Sequence, residues 1–225
     1  MNYYKIVNNN YISGFKYQTG LNIYPHLFNR SNEYDVGGIF FSREDILAFL
    51  WAGPWIRKVK FPSNMRIYEL TNMKKPESTR MWKADKIILG KPQFITTDIL
   101  QQLINEGANV QAGENNALCW AAKNGHIDIT KLFLDNGADI HSGGDKAFWW
   151  AAYKGHNDVI ELLIKYGANI HIHEDYALRW AAHNGHIEVV KILLNVGADK
   201  KASYYEALRF AYENNHIEVV ELLTQ

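Results

Sequence analysis

The chain has little of several residue types, and each shortage excludes a class of protein. Its 225 residues include one cysteine, Cys119, so a disulfide framework within the chain is excluded. Lysine and arginine number 24, as do aspartate and glutamate, so the excess positive charge typical of nucleic-acid-binding proteins is missing. No run approaches the roughly 18 apolar residues of a membrane helix, and the first residues lack the basic start and apolar stretch of a signal peptide. We therefore expect a soluble intracellular protein that binds neither nucleic acid nor membrane.

The second half of the chain repeats itself every 30 residues. Three full copies cover 114–143, 144–173 and 174–203, and a truncated copy covers 204–225. Glycine and histidine recur in register through the copies, as Gly107, Gly137, Gly167 and Gly197 and as His126, His156, His186 and His216. A fixed period of this length indicates stacked supersecondary units, each burying its apolar face against a neighbour. The repeat therefore predicts a binding scaffold, and it leaves the partner open.

One copy, 174–203, shows how each unit is expected to fold. The apolar spacing in 176–182 predicts a short helix whose paired alanines allow close packing. A second helix is expected to start near His186, with the acidic Glu188 in its first turn complementing the helix dipole. Gly197 follows the last turn, where a left-handed conformation commonly ends a helix. The unit is therefore helix, turn, helix, cap and polar connector.

The run A-L-x-W-A-A-x-N-G-H-I-E-V-V-x-x-L-L-x-x-G-A-D resembles the ankyrin repeat over most of each unit. Two features depart from that family. Its usual Thr-Pro-Leu-His opening is replaced, for example by Tyr176-Ala177-Leu178-Arg179, and the period is 30 residues instead of 33. The missing residues fall in the connector, so we expect the hairpin fingers of the family to be reduced to turns. The predicted fold is an α-helical ankyrin-type solenoid of 30-residue repeats, preceded by a small α+β N-terminal module.

The predicted array covers 93–225 and begins with a half repeat, 96–113, that has a second helix but no first helix in register. Its inner face would be bare, so we expect the N-terminal module, 1–92, to pack there as a cap. Alternating apolar residues predict short strands in this module at 3–7, 14–17, 20–24, 37–41, 56–61, 65–70 and 86–89. A helix is predicted at 43–51 and a loop at 73–82.

Several histidines and aromatic residues are candidates for a site. Rings one repeat apart are too distant to share a metal ion, and in the ankyrin resemblance the histidine of each Asn-Gly-His turn is structural. His171 and His173 could touch one ion, but two ligands without further donors make a weak site, and solvated loop histidines are the favoured interpretation. The row Trp120, Trp150, Trp180 and Phe210 could stack on bases or sugars, and packing between units is the favoured interpretation. No metal and no cofactor is therefore expected.

The ankyrin resemblance implies that a partner docks on the connector tips and on the exposed face of the first helices. These positions form a mixed basic and aromatic surface, and interface hot spots favour Trp, Tyr and Arg. An ordinary solvated face without a dominant partner stays open as the alternative. The predicted partner-binding residues are Lys146, Trp149, Tyr153, Lys154, Tyr176, Arg179, His183, Arg209 and Tyr212. We expect a partner protein with some acidic character and a monomeric array.

Two further resemblances bear on function. The segment Gly38-Ile39-Phe40-Phe41-Ser42 faintly resembles the core of ADP-ribosyltransferase-like folds, which implies a head with a cleft lined by Tyr17, Phe40 and Glu69. The histidine or arginine that this family uses to hold NAD has no counterpart near 3–17, so an inactive relative, or none, is expected. Along its whole length the chain resembles the ankyrin paralogue families of giant, mimivirus-like DNA viruses of amoebae. This implies a location in the host cytoplasm or the virion.

The sequence therefore predicts a non-enzymatic scaffold for a host or viral protein. An ADP-ribosyltransferase-like head carried by the array and a structural or assembly role are the two alternatives.

Overall fold

The computed structural model describes residues 3–7, 11–12, 15–16, 19–23, 39–42, 46–47, 50, 54–70 and 81–225. The chain divides into two compact units, Met1–Ala117 and Leu118–Gln225. No helix among the described residues is long and apolar enough to cross a membrane.

The first unit is built on an antiparallel sheet. Its strands are β1 (Tyr3–Val7), β2 (Tyr11–Ile12), β3 (Phe15–Lys16), β4 (Gly20–Ile23), β5 (Ile39–Ser42), β6 (Trp55–Lys60), β7 (Ile67–Leu70), β8 (Met81–Ala84), β9 (Lys86–Leu89) and β10 (Gln93–Phe94). The order in the main sheet is β4-β9-β6-β1-β5-β8-β7, with β10 paired to β6, whereas β2 and β3 pair separately. The small antiparallel sheet expected before the repeats is thereby confirmed.

Both faces of the sheet carry buried side chains. On one face, Val59, Ala84, Ile87 and Leu89 are buried together. Tyr3 closes this cluster through edge contacts, with its ring centroid 4.8 Å from that of Phe61 and 5.5 Å from that of Trp82. On the other face, Ile6 and Ile56 pair across β1 and β6 and are also buried.

The loop predicted at 73–82 is wrong at its end, because Met81–Ala84 forms β8 between β5 and β7. The sequence does not indicate this strand, because Lys83 is a charged residue and is nevertheless fully buried. Residues 71–80 lie outside the described part of the chain, as does most of the helix predicted at 43–51. Of that helix, Ile46, Leu47 and Leu50 are described, and all three are buried.

The half repeat lies in the same unit as the sheet. Helix α1 (Thr97–Asn105) begins after Thr96, whose hydroxyl accepts a hydrogen bond from the Ile99 N–H. The Tyr4 hydroxyl on β1 donates to Glu106 Oε2 at 2.9 Å, just beyond the end of α1. This bond joins the first strand to the first helix.

The repeats form paired helices, as predicted. They are α2 (Ala112–Lys123) and α3 (Ile127–Asp135), α4 (Ser142–Lys154) and α5 (Asn157–Lys165), α6 (Tyr176–His183) and α7 (Ile187–Asn195), and α8 (Ala202–Glu213) and α9 (Ile217–Thr224). The paired alanines are completely buried, for example Ala181 and Ala182, as are Val189 and Val190 on the second helix of the same repeat. Small side chains on the first helix and branched ones on the second therefore build the core of the array.

The connectors are turns, and no strand forms between the repeat helices within 112–225. In each connector an Asp or Asn side chain accepts a hydrogen bond from the N–H two residues later, at 2.9 Å for Asp139 and 3.0 Å for Asn169. Three left-handed residues then precede the regular first helix of each repeat, at 113–115, 143–145, 173–175 and 203–205. The fingers are therefore reduced to turns, as expected.

Candidate protein-binding face

The first helices of three successive repeats carry a continuous row of half-buried rings. We define this aromatic strip as Trp149, Trp150, Tyr153, Tyr176, Trp180 and Phe210. On α4, Trp149 and Trp150 lie four and three residues before Tyr153, and on α6 Tyr176 lies four residues before Trp180, spacings that share one face of a helix. Helix α8 supplies Phe210. The strip thus belongs to the unit Leu118–Gln225.

Ring contacts join the strip across the repeats. Trp149 and Trp150 stack with their centroids 4.5 Å apart. Trp149 meets Tyr176 of the next repeat at 5.6 Å, and Trp180 meets Phe210 of the one after at 6.2 Å. These distances lie in the range in which aromatic pairs attract each other. Each repeat is therefore tied to the next by rings as well as by its apolar core.

Cationic side chains lie over the rings of the strip. Lys123 Nζ is 4.1 Å from the ring centroid of Trp150, and Lys154 Nζ is 5.0 Å from that of Tyr153. The guanidinium carbon of Arg179 lies 5.0 Å from Tyr176, and that of Arg209 lies 5.5 Å from Phe210. All four distances are short enough for cation–π attraction. The face is therefore basic and aromatic, as the sequence predicts.

Arg179 is engaged within the array. Its guanidinium donates to the carboxylate of Glu206, to the His173 carbonyl at 2.6 Å and to the Glu174 carbonyl at 3.1 Å. Its side chain is only 13% exposed. On the other side of Glu206, Arg209 donates to Oε1 at 2.8 Å. Two of the cations on this face therefore already share a carboxylate.

The predicted site residues are brought together only in part. Tyr153, Tyr176 and His183 join the strip through ring contacts, and the His183 ring lies 5.0 Å from Trp180. Lys146 and Lys154 are exposed on α4, and Lys146 contacts no ring of the strip among the described residues. Tyr212 is 72% exposed and occupies the position that Ala182 fills one repeat earlier. Among the described residues it makes no ring contact with the strip, and it lines a shallow cavity with Tyr205 and Arg209.

Two rings of this face, Trp150 and Trp180, are missing from the predicted set. Trp150 and Trp180 were expected to pack between units, and both are half-buried, Trp150 beneath Lys123 of the previous repeat and Trp180 against Phe210 of the next. A signal for them existed, because they recur at the 30-residue period beside Trp149 and Arg179. Nothing in the sequence indicates that Glu206 forms ion pairs with both Arg179 and Arg209.

The recurrent histidines are structural, as expected. His156, His186 and His216 each donate through Nε2, at 3.0 Å, to a main-chain carbonyl near the end of the previous repeat's first helix. The acceptors are the carbonyls of Lys123, Tyr153 and His183. Burial lowers the pKa of His126, the first in the series, and the charge of His156 lowers it further. No group of three potential metal ligands occurs among the described residues.

The connector histidines have partners, which corrects the interpretation that they are merely solvated. His141 Nδ1 lies 3.1 Å from Oδ1 of Asp145, and His171 Nδ1 lies 3.1 Å from Oδ1 of Asp175. Both carboxylates are buried. Asp145 also accepts from the Asn169 N–H at 3.0 Å, which belongs to the next connector. These carboxylates therefore hold the connectors in place.

The first unit buries basic side chains in its sheet. Lys5 and Arg57 lie opposite each other on β1 and β6, and both are buried. Burial lowers the pKa of Lys5 to about 7. Arg57 donates to the Gly90 carbonyl at 3.2 Å. We therefore expect these buried basic side chains to affect the stability of the sheet. Their burial does not by itself indicate a functional site.

The cleft implied by the ADP-ribosyltransferase resemblance is not supported by the strand register. Phe40 is paired with Lys83 and Glu69 with Trp82, which are neighbouring positions of β8. Because consecutive strand positions alternate between the two faces of a sheet, the positions of Phe40 and Glu69 belong to opposite faces. Tyr17 lies outside the described residues.

Comparison with known proteins agrees with the repeat geometry. The family described as "Ankyrin repeats (3 copies)" matches residues 93–174 and 171–225, which is more than half of the chain. The chain belongs to the ankyrin-repeat family. Ankyrin repeats are generally protein–protein interaction modules, and ankyrin repeat proteins are usually non-enzymatic.

The relatives of these ankyrin repeats are viral. The chain is 32% identical over 121 residues to R229 of Acanthamoeba polyphaga mimivirus, a protein named for its ankyrin repeats. The matched region covers 51% of this chain and 38% of that protein. It is 31% identical over 135 residues to R868 of the same virus, also named for ankyrin repeats, covering 58% of this chain and 65% of that one. It is 30% identical over 132 residues to the uncharacterised R869, covering 56% of this chain and 93% of R869. The chain therefore spans less than two thirds of the first two relatives.

Proposed function

We propose that this protein is a non-enzymatic scaffold that binds a host or viral protein through the first-helix face of its ankyrin repeats. The observation that carries the proposal is the aromatic strip with its overlying cations. Half-exposed Trp and Tyr rings flanked by Lys and Arg have the composition of interface hot spots. Rings already held by their neighbours lose little further freedom on binding, which favours affinity.

The proposal also assigns a role to each part of the chain. The N-terminal module, 1–92, acts as a cap on an array that covers 93–225. The bond between Tyr4 and Glu106 supports this assignment, because it joins the sheet to the half repeat. The array acts as a monomer, in the host cytoplasm or in the virion, and the mimivirus relatives support this setting.

Capture from a lysate of amoebal cells tests the binding face. The bait is the full chain, and the variant Trp149→Ala/Tyr153→Ala removes two rings of the strip. Tyr166→Ala is the matched control, because Tyr166 follows α5 on the second-helix side and bonds to Asp135. Circular dichroism and thermal unfolding establish that each bait is folded.

We expect a specific partner to be retained by the wild type and by Tyr166→Ala, and to be lost from Trp149→Ala/Tyr153→Ala. Equal retention by all three baits would place binding outside the strip. Self-association of the wild type without any foreign protein would favour an assembly role instead.

A further inference from the structure

The cations of the candidate face differ in whether a carboxylate of the same chain is paired with them. Arg179 and Arg209 share the carboxylate of Glu206. Lys123, Lys146 and Lys154 take part in none of the ion pairs that the described residues form, and all three are exposed. Positive charge available to a partner is therefore concentrated on the first helices of the first two full repeats.

The free lysines lie beside the rings that a partner would contact. Lys123 and Lys154 are held over Trp150 and Tyr153, and Lys146 precedes Trp149 and Trp150 by three and four residues on α4. Residues at these spacings share one face of a helix. A ligand that lies on the rings can thus reach three ammonium groups without displacing a carboxylate.

We infer that the lysine-bearing part of the strip, Lys123, Lys146 and Lys154 with Trp149, Trp150 and Tyr153, binds an extended acidic peptide segment with a carboxylate at about every third residue. The inference rests on the proposed function and names the chemistry of the partner. Packed helices lie about 8–10 Å apart, and an extended chain rises about 3.3 Å per residue. Three residues of an extended segment therefore span the one repeat that separates Lys123 on α2 from Lys154 on α4. Lys146 lies about 12 Å from Lys154 along α4, a distance that a further three or four extended residues cover.

An extended segment suits this face because the connectors are turns without projecting fingers. Charge complementarity favours a peptide with spaced carboxylates. A polyanion with a charge at every unit would also meet Glu206 and Glu213, which α8 carries. A single-stranded nucleic acid is the competing ligand, since it too can stack on aromatic rings.

The test is a titration of the full chain with synthetic peptides, followed by tryptophan fluorescence. The probe is a 12-residue peptide of four Asp-Leu-Thr units, and the comparison peptide has the same composition with its four aspartates contiguous. A 12-nucleotide oligodeoxythymidine is the third probe. The test variant is Lys123→Ala/Lys146→Ala/Lys154→Ala. The matched control is Lys131→Ala/Lys165→Ala/Lys191→Ala, which removes the same charge from the second helices of the first three repeats.

We expect the spaced peptide to bind the wild type and the control variant within about twofold of each other. The test variant should bind it at least about tenfold more weakly, because each contact in a charged pair contributes modestly and three are lost. Rising salt should weaken binding. The contiguous peptide should bind several-fold more weakly than the spaced one.

Three results would overturn the inference: no binding of the spaced peptide, equal losses in both lysine variants, or tighter binding of the oligonucleotide. Its failure can be told apart from that of the proposed function. If the lysate partner is lost from Trp149→Ala/Tyr153→Ala yet retained by the lysine test variant, the scaffold function stands and the acidic segment does not.

Discussion

The Nδ1 atom of His186 lies 2.6 Å from the place that a Cβ atom on Gly155 would occupy. The same close approach recurs between Gly125 and His156, at 2.7 Å, and between Gly185 and His216, at 2.5 Å. Since real Cβ atoms do not approach ring atoms this closely, the glycine of each Asn-Gly-His or Lys-Gly-His turn makes room for the histidine of the next repeat. The histidine then reaches the carbonyl that it binds.

Gly155→Ala should destabilise the array by about 3 kcal/mol. About 1–2 kcal/mol comes from the left-handed backbone, φ +76°, and the rest from the clash with the ring. Gly167→Ala is the control, because its φ is +91° and no atom lies near the added Cβ. It should cost only about 1–2 kcal/mol. Urea denaturation followed by circular dichroism measures both values, and equal losses would contradict the explanation by the ring.

The double variant Gly155→Ala/His186→Ala separates the clash from the backbone term. Removing the ring relieves the clash, so the loss should fall short of the sum of the two single losses by about 1 kcal/mol or more. Additive losses would mean that the glycine and the histidine act independently.

Asp145→Ala should destabilise the array by about 2 kcal/mol, because it leaves the Asn169 N–H without its acceptor and puts alanine at a left-handed position. Asp145→Asn should cost less than about 1 kcal/mol, since asparagine keeps an acceptor oxygen and tolerates this conformation. Asn115 occupies the corresponding buried position one repeat earlier. Thermal unfolding of the two variants checks the difference, and a loss as large for Asn as for Ala would show that the charge itself is required.

Glu206→Gln should increase the affinity for the spaced acidic peptide by several-fold. Arg179 and Arg209 share the Glu206 carboxylate, so a neutral amide leaves both guanidinium groups less compensated and more attractive to a carboxylate ligand. The measurement is the same fluorescence titration. Glu188→Gln, which removes an exposed carboxylate from the second helix α7, is the control and should leave the affinity unchanged. A fall in affinity would indicate that Glu206 positions the arginines for binding.

Lys5 should make the stability of the protein rise with pH above neutrality. Its pKa is lowered from 10.5 to about 7 by burial, so between these values the unfolded chain binds more protons than the folded one. Stability therefore increases with pH in this window, by at most about 2 kcal/mol between pH 7 and 9. Urea unfolding at pH 7, 8 and 9 measures this rise.

Lys5→Met removes the titrating group, so it should flatten the rise and stabilise the protein at pH 7. Lys58→Met changes an exposed lysine on the neighbouring strand and should leave the rise intact. A rise that persists in Lys5→Met would assign the pH dependence to another group.

The architecture of the repeats could be predicted because each signal recurs in register. Glycines such as Gly167 and Gly197 end helices, and alanines such as Ala181 and Ala182 allow close packing, so spacing alone defines the paired helices. The left-handed residues at 143–145 and 173–175 could not be predicted. At Asp145 and Asp175 the buried carboxylate bonds to the histidine four residues earlier, a contact that the sequence pattern does not show.

Periodicity indicates which residues share the candidate face, but it does not indicate the ion pairs that they form. Periodicity places Trp149, Arg179 and Arg209 at equivalent positions, yet it does not reveal that Glu206 binds both arginines. In the first unit, β8 escaped prediction because Lys83 is buried against the expectation for a charged side chain. Both errors concern a charged side chain, because periodicity shows neither the burial of Lys83 nor the two ion pairs of Glu206.

The close contact between glycine and imidazole restricts which repeat can follow which. A unit with glycine in its turn accepts a histidine-bearing successor, whereas a unit with a β-carbon there, as at Asn215 with φ +60°, would force the ring of such a successor to move. A further histidine-bearing unit therefore fits behind any glycine-bearing turn, but not behind the asparagine-bearing one without a shift of its ring. The length of such an array is thus limited by one small residue in each turn.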